Sequence, residues 1–210
     1  MLAFNNHSPP QLEHHDRRAG TLYDDAIAPL RERTPVNRIE HIALMAHYNQ
    51  WMNRKLYDAA GTLTDAELAA DRQAFFGSIL GTLNHLALGD TVWLKRFAQH
   101  PAGFSALVPL SAIATPTDLK QLAFADIRAL SAHRAWLDQL IIEWAHSLRE
   151  SDLDQHLSYH NMRGAANRKP FFGLLVHFFN HQTHHRGQAT TLLTQAGVDV
   201  GDTDLLALID

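Results

Sequence analysis

The chain has 210 residues, no cysteine, 18 Lys plus Arg against 22 Asp plus Glu, and a formal net charge of -4. That length suffices for one domain that buries about 70% of the surface its unfolded chain exposes, and the lack of cysteine excludes disulfides, thiolate metal sites and a cysteine nucleophile. A mildly acidic chain without a basic stripe argues against nucleic acid as a partner, while short, broken apolar runs and no basic-then-apolar leader predict a soluble, cytoplasmic protein with no membrane partner.

Residues 1–33, with Pro9-Pro10 and His14-His15, show no sustained period and read as an N-terminal leader or arm, leaving 34–210 as the folded domain. Thr34 as N-cap with Pro35 at the first helical position predicts a helix running to about Ala60 and closed by Gly61. Thr64-Asp65 followed by Glu67 predicts a short helical turn before Arg72. After Gly77-Ser78 the chain is apolar almost all round (Ile79, Leu83, Leu86, Val92, Leu94, Phe97), which predicts a buried helix stopping near His100-Pro101. Residues 101–117 read as a connection. From about Pro116 to Leu148, the series Ala123, Ile127, Leu130, Arg134, Leu137, Ile141, Trp144 and Leu148 alternates steps of four and three, the stripe of a long helix. Asn161-Met162-Arg163-Gly164 marks the turn of a small hairpin, and Lys169-Pro170 opens a last helix that Gly197 closes. Four principal helices and few strands predict an all-α, four-helix bundle.

Histidine is the outlier of the composition, with 15 residues. Chance alone gives about one His pair at i, i+4 in such a chain, and pairs occur at 156/160, 177/181 and 181/185, so spacing alone decides little. Position decides more. On the last helix, steps of three and four from Phe171 visit Leu174, Phe178, His181, His185, Gln188 and Leu192, so two histidines interrupt an apolar stripe as neighbours on one face. His85 lies mid-helix on a stripe with Gly81, Leu88 and Val92, and a facing helix can carry it across to the pair. His85, His181 and His185 are therefore the candidate ligands of a divalent metal, weighed against three separately hydrogen-bonded core histidines. Nitrogen ligands suit zinc or nickel. Three neutral ligands leave an open position and an uncompensated positive charge, suited to an anion or a water. Gln182 stands where the carboxylate of H-E-x-x-H would be, which argues against zincin-type peptidase chemistry.

The string His181-Gln182-Thr183-His184-His185-Arg186-Gly187-Gln188 resembles the H-x-x-x-H-R-G-Q signature of DinB/YfiT-like proteins. Asn84-His85-Leu86 followed by Trp93-Leu94 resembles that family's second-helix ligand motif, and Tyr48-Asn49-Gln50-Trp51-Met52-Asn53 is similar to its first-helix pattern. The likeness spans about residues 36 to 196. It implies an up-down-down-up bundle, usually dimeric, with His85, His181 and His185 holding zinc or nickel; characterised relatives include thiol-dependent S-transferases and maleylpyruvate isomerases. The chain departs from the pattern in its long leader, in His184 where an aromatic residue is expected, and in the additional His177.

His177 and His184 fall to one side of the ligand stripe and read as polar neighbours or dimer contacts. Asp90, Arg186 and Gln188 are candidates for catalytic or ligand-orienting roles, set against a capped polar residue for Asp90 and a surface salt bridge for Arg186. Tyr48, Trp51 and Asn53 read as core. The leading expectation is a metal-dependent S-transferase joining a low-molecular-weight thiol to a small-molecule electrophile, the thiol sulfur coming from a cosubstrate because the chain has no cysteine. The alternatives are a metal-dependent hydrolase and a non-catalytic, dimeric, stress-associated metal-binding bundle.

Overall fold

The structure is a computed structural model that describes residues 37–209; the leader and the Thr34-Pro35 start signal lie outside them. Helix α1 spans Arg38–Ala60, and its cap is Asn37, whose side chain accepts from the N–H groups of Ile39 and Glu40 at 3.1 and 3.3 Å. The described helix thus begins three residues after the expected Pro35, because an asparagine amide satisfies two otherwise orphaned first-turn donors. Helix α2 (Asp65–Ala69) carries the expected capping box between Thr64 and Glu67. Helix α3 (Ile79–Phe97) starts at Ser78, which accepts from Gly81 N–H at 3.0 Å, and it is buried over most of its length as its composition predicts.

The largest departure precedes helix α4, which spans Ile127–Ser147 rather than starting near Pro116. Its cap is Asp126, and the expected stripe from Ile127 to Leu148 is buried throughout, including Arg134. Residues 113–126 are instead an irregular strap over α3. Asn84 holds that strap in both directions, donating to Phe124 O at 2.9 Å and accepting from Phe124 N–H at 2.9 Å. These bonds to an inward amide require non-helical backbone at Phe124, which periodicity does not register. The connection before it contains a 3-10 helix, Ser105–Ala112, that buries Leu107 and Leu110.

A short helix, α5 (Glu150–Leu153), leads into an antiparallel hairpin of β1 (His156–His160) and β2 (Ala166–Pro170), with His156 opposite Pro170 and His160 opposite Ala166. Asn161 organises its turn, its side chain accepting from Arg163 and Ala165 N–H. Helix α6 (Phe171–Gln195) follows directly, and Gly197, at φ +81°, lies just past its end. A final 3-10 helix, Leu205–Leu208, completes the described chain. The architecture is mainly helical with one two-stranded sheet.

Each of the four long helices packs against two others: α1 and α3 each touch both α4 and α6. Between them lies a polar layer to which all four contribute. Asp138 Oδ1 accepts from Asn49 and Asn53 at 3.0 and 2.9 Å and lies 3.0 Å from Arg134 Nη2. Arg134 also pairs with Asp90, which accepts from Gln182 Nε2 at 2.9 Å, and Arg186 donates to Asn49. All seven are buried. Two arginines and two aspartates make the layer formally neutral, which is what permits such groups in an apolar interior. Replacing Asp138 with alanine leaves two buried arginines against one aspartate and takes the shared acceptor from the Nδ2 groups of Asn49 and Asn53. Asp138→Ala is expected to lower unfolding free energy by about 3 to 5 kcal/mol, measured by urea denaturation at neutral pH; a loss below 1 kcal/mol would show that the layer relaxes around the gap.

Candidate metal centre

Helices α3 and α6 pair residue by residue in opposite directions. His85 meets His185 with ring centroids 4.4 Å apart, Gly89 faces His181, and Trp93 meets His177 at 5.0 Å. One nitrogen from each of His85, His181 and His185 lies within 4.8 Å of the others. Gly89 eases this approach, since a Cβ there would fall 3.0 Å from His181 Cε1 and the imidazole would have to give by a few tenths of an ångström. Gly81 serves a related purpose: a Cβ would lie 2.1 Å from Phe76 O, so only glycine lets the preceding loop fold back and stack Phe76 on His85 at 3.9 Å.

Hydrogen bonding fixes which nitrogens face inward. Leu119 O, on the strap, can only accept, so His85 Nδ1 at 3.0 Å is the protonated atom and Nε2 carries the lone pair. Gln188 Oε1 does the same for His185 Nδ1 at 2.7 Å, its amide orientation set by donation to His184 Nε2 at 3.2 Å. His85 Nε2 and His185 Nε2 thus face each other at 3.1 Å, two acceptors with no proton of their own to share. Burial makes a proton between them costly, pulling His85 down to about 4 and lowering His185 as well. His181 is pulled down to about 3, by burial first and then by the neighbouring imidazoles, and its Nδ1 is buried without a partner. Three imidazoles that burial keeps neutral, each with a nitrogen within 4.8 Å of the others, fit a divalent cation better than a network of hydrogen bonds among themselves.

The remaining candidates separate clearly. Gln188 orients His185 directly. Asp90 and Arg186 belong to the buried polar layer; Arg186 is 2% exposed, which removes the surface salt bridge, and burial pulls it down to about 10. Gln182 turns away from the histidines into the same layer. Gln182 and Arg186 are more deeply buried than His181 and His185, so α6 is rotated from the expected stripe and the imidazoles sit at the margin of the buried face. That margin gives a ligand a way in. His184 and His177 are exposed, as their position beside the stripe predicts. Asn53 is core, while Tyr48 and Trp51 are only half-buried, Tyr48 lying under Arg186 and donating to Thr203 O. The Leu119 carbonyl and the Phe76 ring carry no signature in sequence, whereas Arg134, an arginine on an apolar stripe, is a readable sign of the polar layer.

A mainly helical chain in which imidazoles from two helices meet at one point fits a metal-binding protein. The chain belongs to the DinB family, whose sequence pattern matches residues 36–210. It is similar to Protein DinB of Bacillus subtilis (strain 168), 26% identical over 157 residues that cover 75% of this chain and 87% of that relative. No solved structure matches the chain significantly. No helix among the described residues is long and apolar enough to cross a membrane.

Two outcomes follow from this geometry. Gln188→Ala and Gly89→Ala, one freeing His185 and the other displacing His181, are each expected to weaken zinc binding by about 10- to 100-fold, read by competition with a chromophoric chelator. The second concerns pH. An unfolded histidine titrates near 6.5, above the folded values of about 4 and about 3 at His85 and His181, so the unfolded chain binds more protons between them. Stability of the metal-free protein is therefore present above pH 6.5 and lost as pH falls towards 4. The urea midpoint should fall over that range, and less steeply in His181→Ala.

Proposed function

We propose that His85, His181 and His185 ligate one zinc or nickel ion and that the protein is a metal-dependent S-transferase joining a low-molecular-weight thiol to a small electrophile. The observation that carries the reading is the convergence of three imidazoles, each with a nitrogen within 4.8 Å of the others, two of them held with Nε2 unprotonated by Leu119 O and Gln188 Oε1. Bound there, a divalent cation supplies a positive charge, uncompensated by neutral ligands, that lowers the pKa of a thiol. The net reaction forms a carbon–sulfur bond, breaks the bond from that carbon to its leaving group, and passes the thiol proton to solvent or to the departing group. Phe76 covers one side of His85, and together with Phe75 and Leu192 it lines an adjoining cavity of about 240 Å³ that suits an apolar electrophile. The chain has no cysteine of its own to compete for the ion.

The proposed frame is an up-down-down-up four-helix bundle within a domain of residues 34–210. Its support is the order of contacts along each pair. On α3 and α4, Asp90 meets Arg134 and Phe97 meets Trp144, so both chains advance together. On α1 and α4, His47 meets His146 while Asn53 meets Asp138, so they run oppositely.

The test is a panel of thiols and electrophiles assayed with zinc- and nickel-loaded protein. Thiol-dependent product formation that drops to the uncatalysed background in His85→Ala is expected. Equal rates in His85→Ala and the parent would overturn the reading, and turnover that needs no thiol would favour hydrolysis at the same centre.

A further inference from the structure

Past Trp93, the face of α3 that carries His85 and Gly89 reaches an arginine, Arg96, that has no counter-charge among the described residues. The Arg96 guanidinium lies 4.6 Å from the Trp93 ring centre and 5.1 Å from that of Tyr159 on β1. Burial lowers its pKa, the Tyr159 ring is the one ionisable group opposing that, and among the described residues no carboxylate pairs with it. An arginine half out of water and without an anion is costly to keep.

Arg96 forms part of the wall of a cavity of about 390 Å³ between α3, the strap and the hairpin turn. Lys95, His160, Thr115 and Thr117 share the wall, and no acidic residue does. The neighbouring Asp118 instead accepts from Lys120 N–H at 2.8 Å. That volume falls within the range of small-molecule sites. Two features join it to the histidines. The strap that supplies Thr115 and Thr117 also supplies Leu119 O to His85. His181, His177, Trp93 and Arg96 form a line of successive ring contacts, each partly or fully exposed. Gly89, facing His181, and Arg96 are seven residues apart, about 10 Å along the helix axis.

We propose that this cavity binds the acidic tail of the ligand taken at the three histidines: a small thiol whose carboxylate is far enough from its sulfur to reach Arg96 and pair with it. The inference rests on the reading of that centre as a thiol site, and its test separates the two. Zinc-loaded protein is titrated calorimetrically with ω-mercaptocarboxylates of increasing chain length and with alkanethiols of matching length. The expected result is a gain of about 10-fold or more for the acid at lengths that span the gap, lost in Arg96→Gln while zinc affinity is unchanged. Equal affinity for acids and alkanethiols at every length, or a gain that survives in Arg96→Gln, overturns the proposal.

Should neither thiol bind, the thiol reading fails, and the anion site is decided separately. Metal-free protein is then titrated with tricarballylate, following tryptophan fluorescence, since Trp93 lies under Arg96. Saturable quenching that disappears in Arg96→Gln sustains the anion site; no saturable change, or one that persists in the variant, overturns it.

Discussion

Everything in this structure is referred to a neutral layer of two arginines and two aspartates closed off between four helices. Apolar packing tolerates small slides of one helix on another, because a leucine displaced by a fraction of a turn finds another hydrophobic neighbour. A buried charge has no such latitude. Sliding α4 by one residue would carry Arg134 away from both Asp90 and Asp138, and shifting α1 would take Asn49 and Asn53 off the same carboxylate oxygen. The layer thus sets the relative height of all four helices, and with it the height at which His85 meets His185.

The layer also accounts for the rotation of α6. Residues 182 and 186 point to the interior and are paired there, so residues 181 and 185, one step round the helix, fall at the margin. An imidazole triad in the middle of the interior would have no access for a ligand, whereas one on the outer surface would be hydrated and protonated more readily. At the margin the His85 and His181 rings are desolvated enough to stay neutral well below pH 6, and His181 and His185 are open enough to be reached. Irregular segments finish the arrangement: the strap presents Leu119 O to one ring, and the loop before α3 lays Phe76 against it. Rigid helices position the three imidazoles, and the loops fix the tautomer of His85 and cover it.

The chemistry of the surrounding surface is uneven in a way that bears on ligand choice. On one side of the histidines the wall is aromatic and aliphatic, through Phe75, Phe76 and Leu192. On the other, beyond His177 and Trp93, it is cationic and polar, through Arg96 and Lys95. An apolar cavity on one side of the histidines and a basic one on the other are the basis of the proposed pairing of an apolar electrophile with an acidic thiol.

The sequence by itself determined the features whose causes are local. Helix period, the Thr64–Glu67 capping box, the start of α3 after Gly77-Ser78, the Asn161–Gly164 turn and the stop at Gly197 depend on neighbours a few residues away, so they were legible. The pairing of His181 with His185 was legible for the same reason, and His85 joined them once an apolar helix was seen to carry an inward histidine. Tertiary structure alone decided the start of α4, because residues 113–126 trade helical hydrogen bonds for bonds to Asn84 and His85 on another element. It decided the rotation of α6 as well. Periodicity locates an apolar face to within about one residue, and the choice between 181/185 and 182/186 was made by charges on α1, α3 and α4 that are distant in sequence. The lack of a carboxylate beside Arg96 among the described residues is of the same kind, since whether a charge has a partner is a property of the whole surface around it and of no single segment.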